Sequence, residues 1–181
     1  MSLQHAILGL LTIQPMSGYE LKHVAFEQTI AHFWQADQAQ IYRTLDKMAE
    51  SGWITSQLEI QETRPNRKIY SLTSAGRAEL ERWMGTEQPL PTYREAFLVQ
   101  LFFGEELAQD DLLKHITTHI AGHRERLAAY EQIPLPKLDD ASIETRETFW
   151  RLTLEFGIAL EKTYLEWLEM CARVIGNQPG E

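Results

Sequence analysis

The chain has 181 residues, a hydrophobic fraction of 44% and a formal net charge of −9. This composition can bury the core of one or two small domains, and its acidic balance excludes a protein that coats nucleic acid or anionic membranes through its bulk charge. The charge is uneven: residues 1–86 carry eight Lys and Arg against nine Asp and Glu, and residues 87–181 carry nine against seventeen. The acidity therefore belongs to the second half.

Three features predict the cellular setting. Cys171 is the single cysteine, so no internal disulfide can form. Residues 3–13 are apolar, but no basic region precedes them and no small-residue cleavage site follows, unlike a secretory signal. No apolar run approaches the roughly twenty residues that span a bilayer. We expect a soluble, cytoplasmic protein.

Two helices are predicted ahead of residue 31. Ser2 can cap the first, whose apolar residues recur at positions 3, 7, 10 and 11, and Pro15 ends it. Ser17 and Glu20 then have the spacing of a capping box, in which each side chain satisfies the other residue's backbone N–H. A second helix is therefore expected to begin there.

A third helix follows the aromatic pair at positions 33 and 34. Asp37 and Gln40 repeat the capping spacing, and Gly52 is the predicted C′ residue. Apolar residues at i, i+4 and i+7 define the buried stripe of this helix, namely Ile41, Leu45 and Met48.

The hydrophobic period then changes. Residues 54–60 alternate between apolar and polar, and residues 69–72 are rich in β-formers, which predicts an antiparallel hairpin with residues 64–68 at its tip. Thr73 can cap a fourth helix that runs to Met84. Helices followed by such a hairpin outline a winged helix-turn-helix. The predicted fold class is mainly α with a small β-hairpin.

A domain boundary is expected at Gly85, Pro89 and Pro91. It separates a winged helix-turn-helix domain over residues 1–86 from a helical domain over residues 92–178, which is assigned to dimerisation and possible effector sensing. Within the second domain we predict a helix at residues 93–103, a helix that Asp110 or Asp111 caps and that ends near Gln132, and a long helix over residues 142–175.

The long helix has two apolar faces. One can pack on the chain's own helices, while a helix this long in so small a domain has little surface left to cover the other. We expect the second face to pair with another copy of the chain. The predicted dimer interface consists of Phe149, Leu152, Phe156, Thr163, Trp167 and Met170; Trp150, Leu154, Ile158, Leu165 and Leu168 lie on the other side.

Polar side chains lie opposite the buried stripe of the third helix, at 100° per residue. They are Gln40, Arg43 and Lys47, with Tyr42 on the flank. A helix fits the major groove of B-DNA, where Gln pairs with adenine, Arg pairs with guanine or phosphate, and a flanking Tyr can reach phosphate. The alternative is an ordinary solvated face.

The hairpin tip favours DNA binding, because Arg64, Arg67 and Lys68 gather there. Long cations on a projecting loop can reach backbone phosphates and gain from counterion release. Alternatively, they keep a turn soluble and prevent edge pairing. The order of the elements favours the first interpretation.

A family resemblance is carried by the strings LGLL at 8–11, PMSGYEL at 15–21, QIYRTL at 40–45, GWI at 52–54 and KIYSLTSAG at 68–76. Together they resemble the PadR family of bacterial transcriptional regulators. The string YREAFLVQLFF at 93–103 is similar, more loosely, to the start of that family's longer helical C-terminal domain, the type named for virulence-gene regulators.

This resemblance implies a homodimeric repressor that binds a palindromic operator through its winged helices. The C-terminal helices would build the dimer and, in some members, a site for a small effector such as a phenolic acid. Gln40, Tyr42 and Arg43 then occupy recognition-helix positions, while Arg67 and Lys68 occupy wing positions.

Four residues in or near the matched strings are not expected to contact DNA. Gly18 and Tyr19 match signature residues of the family, but their positions favour helix-start and core roles. Asp46 and Glu50 lie on the exposed face of the third helix, where carboxylates disfavour burial against phosphates. The N-terminal part of that helix is therefore expected to contact the bases.

Two other sets of residues could form sites. His115, His119 and His123 share one helix face, but they span about 12 Å, so one metal could contact at most a neighbouring pair; a pH-sensitive or solvated face is favoured over a metal site. Aromatic residues including Trp34, Phe97 and Trp150 could line a pocket for an aromatic effector, although aromatics at helical spacing more often form core.

An enzyme is not expected, because the sequence contains no phosphate loop, nucleophile elbow or Cys–His pairing, and no cofactor is expected. Two alternatives to a DNA-binding regulator stay open. One is a winged-helix interaction or sensing module that has lost DNA binding, which the acidic second half keeps plausible. The other is a metal-dependent enzyme built on His115 and His119.

Overall fold

The structure, a computed structural model, describes residues 3–30, 33–34, 36–60 and 66–177, apart from the side chains of residues 28 and 29. The chain divides into two compact units, Met1–Leu90 and Pro91–Glu181. None of the described helices is long and apolar enough to cross a membrane.

The first unit surrounds a small sheet with helices. Its elements are α1 (Leu3–Leu11), β1 (Met16–Ser17), α2 (Gly18–Glu20) with a π-helical continuation (Leu21–Ile30), α3 (Gln38–Glu50), β2 (Ile54–Glu59), β3 (Arg67–Leu72) and α4 (Ser74–Met84). The strand order is β1-β3-β2, and both pairings are antiparallel. The predicted hairpin is present, but it is part of a three-stranded sheet.

Three of the predicted helix caps of this unit are confirmed, while the fourth, Ser2, lies outside the described residues. The backbone N–H of Ser17 donates to Glu20 Oε2 at 2.7 Å, and the N–H of Glu20 donates to Ser17 Oγ at 3.2 Å. Asp37 accepts from the N–H of Gln40 at 2.7 Å, and Thr73 caps α4 at the N–H of Gly76. Gly52, after α3, has φ +71°, a left-handed conformation that disfavours any side chain.

One core fills the first unit. Its side chains come from α1, the π-helical segment, α3 and the sheet, and full burial of one Leu, Ile or Phe stabilises the fold by about 1.5–3 kcal/mol. Those at most 2% exposed are Ile7, Leu8, Leu21, Phe26, Ile41, Leu45, Met48 and Ile54. The three residues predicted as the buried stripe of α3 therefore anchor it, and its opposite face is left to solvent.

The second unit contains α5 (Ala96–Phe102), a 3-10 turn (Gly104–Glu106), α6 (Gln109–Glu131) and α7 (Thr145–Gly176). The side chain of Gln109 contacts the carbonyl of Ile175, and Glu131 lies 3.8 Å from Lys162, so α6 and α7 run antiparallel. Phe97, Leu112, Ile116, Leu168 and Cys171 form the core between these helices.

All three predicted helix starts in this unit are wrong. The first helix begins at Ala96, with Glu95 as its N-cap, and not at residue 93. Asp110 and Asp111 lie in the first turn of α6, where carboxylates favour the helix dipole, and Ala108 is the N-cap. The last helix begins at Thr145, after a capping box of Glu144 and Glu147, and not at residue 142. Ser142 is instead held in the preceding turn by two hydrogen bonds to Asp140.

Candidate nucleic-acid interface

The outward face of α3 carries the polar residues predicted to contact DNA. Gln40, Arg43 and Lys47 are exposed. Within the described part of the chain their side chains make no hydrogen bond or ion pair. Asp46 and Glu50 are exposed as well, so the carboxylates lie towards the C-terminal half of α3. A free donor-rich surface is thus left at the N-terminal turns.

Tyr42 lies on the flank of this face and is held by the start of α2. A Cβ built on Gly18 would lie 2.5 Å from Tyr42 Cε1 and 2.9 Å from its hydroxyl oxygen, so the phenol ring occupies the space that a side chain at position 18 would need. The ring stays 38% exposed. Burial raises the pKa of the neighbouring Tyr70, and the nearby charge of Asp46 and the Tyr42 hydroxyl raise it further.

The wing presents its cations differently from the prediction. Arg64 lies outside the described residues, and Arg67 and Lys68 are the first two residues of β3 and not part of a loop tip. Arg67 Nη1 donates to Glu20 Oε1 at 2.9 Å, and its Nη2 donates to Glu59 Oε1 at 3.2 Å. Lys68 is exposed and has no ion-pair partner among the residues that the structure describes. Of the two wing cations that the structure describes, Lys68 is the one without a carboxylate partner.

In the second unit, α7 carries an outward apolar stripe. Phe149 is 64% exposed and Phe156 is 61% exposed. Leu152, Thr163 and Met170 are exposed on the same side, while Trp167 is half-buried and packs against the core. The opposite side is buried, with Leu154, Ile158 and Leu168 at most 7% exposed. The sequence-predicted division of α7 into two apolar faces is thus present.

The three aromatic residues predicted to line an effector pocket have different surroundings. Trp34 packs at the edge of the first unit's core. Phe97 is 3% exposed in the second unit's core, where it stacks on His119 at 4.0 Å between ring centroids. Trp150 belongs to α7 and is 41% exposed. Phe97 has an explicit core role, in line with the alternative interpretation of these aromatics.

The histidines of α6 do not share one solvated face. His115 is exposed, whereas His123 is 4% exposed. His123 Nδ1 lies 2.5 Å from Glu161 Oε2, and the imidazole stacks on Tyr164 at 4.4 Å. Burial, and then the proximity of His123, lowers the pKa of His119. No group of three or more His, Cys, Asp and Glu among the described residues is placed to hold a metal ion. The prediction of a solvated face is wrong for His123, which supports α7 through a buried pair.

Comparison with known proteins shows which family combines these two units. Residues 7–82 match the family described as "Transcriptional regulator PadR-like family", and residues 93–176 match "Virulence activator alpha C-term". The negative transcriptional regulator PadR of Bacillus subtilis (strain 168) is 30% identical over 178 residues, which cover 96% of this chain and 97% of the relative. The chain belongs to the PadR family of transcriptional regulators.

Solved structures of PadR-family regulators have the same fold. B. subtilis PadR in complex with operator DNA matches with a TM-score of 0.82 at 31% identity, covering 97% of this chain and 99% of that one. The same protein in complex with p-coumaric acid matches with a TM-score of 0.74 at 29% identity, covering 97% and 99%. The Vibrio cholerae virulence activator AphA matches with a TM-score of 0.77 at 26% identity, covering 97% and 98%.

These likenesses confirm three of the sequence predictions. The family and the fold class are as expected: a winged helix-turn-helix with a small sheet, joined in sequence to a helical C-terminal domain. The matched families and relatives are transcriptional regulators, which confirms the prediction that the protein is not an enzyme. The alternative of a metal-dependent enzyme is thereby set aside.

Two of the PadR signature residues have clear structural surroundings. The Tyr42 ring of α3 occupies the space that a side chain at Gly18 would need. Gly18 therefore both begins α2 and allows α3 to pack closely against it. The prediction of a core role is wrong for Tyr19, which is 62% exposed and whose ring lies 4.4 Å from that of His23. The sequence pattern places Gly18 at a helix start. Its contact with Tyr42 could not be predicted, because the two residues are 24 positions apart and no periodic pattern links them.

Proposed function

We propose that this PadR-family chain is a homodimeric repressor that binds a palindromic operator through α3 and the wing and responds to a small aromatic effector. One observation carries the DNA-binding part: the side chains of Gln40, Arg43 and Lys47 are exposed on α3 and unpaired within the described residues. In the relative of 31% identity, the same fold is in complex with operator DNA.

The side chains divide between base and phosphate contacts by their chemistry. Gln40 suits the N6 and N7 edge of adenine, and Arg43 suits the O6 and N7 edge of guanine. Tyr42 and Lys47 flank these residues on α3 and suit phosphate oxygens. In the wing, Arg64, Arg67 and Lys68 are the candidate cations, and Lys68 is the one that is both exposed and unpaired among the described residues.

Selection from a random-sequence DNA pool tests this assignment. The full chain should enrich a duplex with two-fold symmetry, whose half-sites lie about one helical turn, roughly ten base pairs, or a multiple of it apart. Arg43→Ala should relax the preference at particular bases and weaken binding by about 1–3 kcal/mol for each bidentate hydrogen-bond pair that it removes. Arg77→Ala, which removes an exposed arginine from α4, is the matched control and should leave the preference intact. Enrichment of no sequence would contradict the proposal.

Dimerisation is supported by the outward stripe of α7. A monomer rarely exposes a large apolar patch, and the stripe extends from Phe149 to Met170, about six turns of one helix. A symmetric pairing would cover it with the same stripe of a second copy. The second half would then set the spacing between two DNA-binding units. It has nine Lys and Arg against seventeen Asp and Glu, so its own net charge would repel the DNA phosphates.

The effector and the sign of regulation are proposed from the relatives. B. subtilis PadR is named a negative regulator and has been crystallised with p-coumaric acid, so we expect repression and an effector of the same chemical class, with the partly exposed Trp150 as the candidate aromatic contact. p-Coumaric acid should raise the melting temperature. At a ligand concentration one hundred times Kd, binding stabilises the folded state by about 2.7 kcal/mol. Hexanoic acid, a carboxylate without a ring, is the control; equal shifts for both acids would contradict an aromatic site.

A further inference from the structure

Arg67 has two carboxylate partners at the base of the wing. Its Nη1 atom is 2.9 Å from Glu20 Oε1, and its Nη2 atom is 3.2 Å from Glu59 Oε1, the residue directly across the β2–β3 ladder. The Nε atom is buried and has no hydrogen-bond partner among the described residues. Each of the two outer nitrogens thus donates to a carboxylate, and the side chain as a whole stays 40% exposed.

Glu20 holds a second element at the same time. Its Oε2 atom accepts from the backbone N–H of Ser17 at 2.7 Å and from the Ser17 hydroxyl at 2.8 Å, while its Oε1 atom accepts from Arg67. Ser17 also belongs to β1 and pairs with Ile69 of β3. One carboxylate thus joins the start of α2 to the first residue of the wing's inner strand. The N–H of Ser17 is the main cause that lowers the pKa of Glu20, and Arg67 lowers it further, so this carboxylate is charged at neutral pH.

The local charge at Arg67 is unfavourable for a phosphate. One guanidinium between two carboxylates leaves a net charge of −1, so a phosphate that approaches Arg67 also meets the repulsion of Glu20 and Glu59. Lys68, the next residue, is exposed and has no such partner in the described part of the chain. Neighbouring strand residues point to opposite faces of the sheet, so two adjacent cations meet different surroundings.

From this geometry we infer that Arg67 is a positioning residue: through Glu20 it fixes the wing to the start of α2, and Lys68, not Arg67, neutralises the DNA phosphate beside the groove. The inference rests on the proposed DNA-binding function. It changes the expectation from sequence, in which both cations contact phosphate, and it gives Glu20 a role in DNA affinity although Glu20 itself is an anion.

Salt-dependent binding separates the two roles. The full chain is titrated onto a duplex that it has itself enriched from a random-sequence pool, at several KCl concentrations. Lys68→Ala should lower the slope of log K against log[KCl] by about 0.9 for each phosphate that the variant no longer neutralises. Arg67→Ala should weaken binding by about fivefold per wing, which corresponds to about 1 kcal/mol of coupling, and leave the slope unchanged. Arg67→Lys keeps the charge but cannot donate to both carboxylates with two separate nitrogens, so it should weaken binding as Arg67→Ala does and leave the slope unchanged.

Glu20→Gln is the decisive variant. Gln retains the capping-box hydrogen bonds, so the substitution weakens mainly the link to Arg67. It should reduce DNA affinity about fivefold even though it removes a negative charge, and the Glu20→Gln/Arg67→Ala double variant should bind no more weakly than either single variant. Thermal melting of each variant confirms that the first unit is folded.

Two results would overturn the inference. If Arg67→Ala lowers the salt slope as Lys68→Ala does, Arg67 contacts phosphate. If Glu20→Gln tightens binding or leaves it unchanged, Glu20 does not position the wing. In both cases the wild-type chain still binds its enriched duplex, and the proposed function stands. A wild-type chain that binds no duplex instead defeats the proposed function, and this inference with it.

Discussion

The two units differ in which side chains they bury and which they leave outside. The first unit has one core of aliphatic side chains from its helices and sheet, and its α3 face offers polar side chains without partners among the described residues. The second unit does the reverse on α7: it buries His123 against Glu161 and leaves Phe149 and Phe156 in solvent. The first unit thus presents exposed polar side chains on α3, whereas the second presents an exposed apolar stripe on α7.

The buried pair explains how the second unit keeps its helices aligned. Leu and Ile side chains along α6 and α7 could pack in more than one register, but a buried hydrogen-bonded pair is satisfied in only one. Arg126 adds to it, with Nε 3.6 Å from Glu161 Oε2. We regard this pair as the feature that fixes where the outward stripe of α7 lies.

The largest expected effect comes from the outward stripe. Phe149→Ser together with Phe156→Ser should convert the proposed dimer into a monomer, because four phenyl rings are removed per dimer at about 2 kcal/mol each, on the order of 8 kcal/mol in total. Sedimentation equilibrium measures the change. Leu58→Ser with Ile60→Ser removes two side chains of the first unit that are 61% and 79% exposed, and this control should not alter the mass. Equal effects of both pairs would remove the distinction between the units.

Breaking the buried pair should cost the second unit somewhat less. His123→Leu leaves the Glu161 carboxylate buried without its closest partner, which should reduce the free energy of unfolding of residues 91–181 by about 3–5 kcal/mol. Native-state hydrogen exchange measures this loss separately for each unit. The His123→Leu/Glu161→Leu double variant should recover most of it. A double variant as unstable as the single one would show that packing, and not the uncompensated charge, is responsible.

A smaller effect is expected in the first unit at Gly18. Gly18→Ala places a Cβ 2.5 Å from Tyr42 Cε1, so the ring must move, at a cost of about 1–3 kcal/mol in stability, and DNA binding should weaken with it. Gly9→Ala is the control, because nothing lies within 4 Å of its added Cβ and Ala favours a helix over Gly by about 0.5–1 kcal/mol. Urea denaturation and DNA titration check both variants; undiminished affinity in Gly18→Ala would remove Tyr42 from the interface.

The smallest effect concerns pH and the contact between α1 and α4. Hydrogen bonds from Arg82, and then from His5, lower the pKa of Glu79 from 4.5 to about 2. Because the folded-state pKa is the lower one, this carboxylate stabilises the unit above about pH 4.5, and the contribution is lost as the pH falls towards 2. Glu79→Gln should therefore melt below the wild type at pH 7, with a gap that closes by about pH 2.

The control for that experiment is Glu81→Gln, which changes an exposed carboxylate two positions along the same helix. Its melting temperature should follow that of the wild type at every pH. A gap between Glu79→Gln and the wild type that persists unchanged at the lowest pH would show that the glutamine disturbs packing and not charge.

Local rules carried much of the fold prediction. Capping residues fixed the starts of α3 and α4, and the left-handed Gly52 fixed the end of α3, because each of these signals lies within four residues of its effect. The two-residue strand β1 and the π-helical segment were not predicted. A strand of two residues is too short to show a period of two, and its pairing with Ile69 and Tyr70 joins distant parts of the chain.

The candidate site was also predictable only where local geometry determines it. The face of α3 followed from helical geometry alone, since Ile41, Leu45 and Met48 define its buried side. The partners of Arg67 could not be predicted, because they depend on the β2–β3 register and on the position of α2, which the composition of the hairpin does not encode. For the same reason His123 looked solvated: the residue that buries it lies 38 positions away on α7.

The seven-residue repeat of α7 has a geometric consequence. Its outward residues 149, 156, 163 and 170 recur at that spacing, and so do the inward residues 154, 161 and 168. On a straight helix such a repeat drifts by about 20° per heptad, and a left-handed supercoil removes the drift. One winding therefore keeps both stripes straight along a helix of 32 residues. Any surface that covers the outer stripe along its length has to follow the handedness that the inner packing favours.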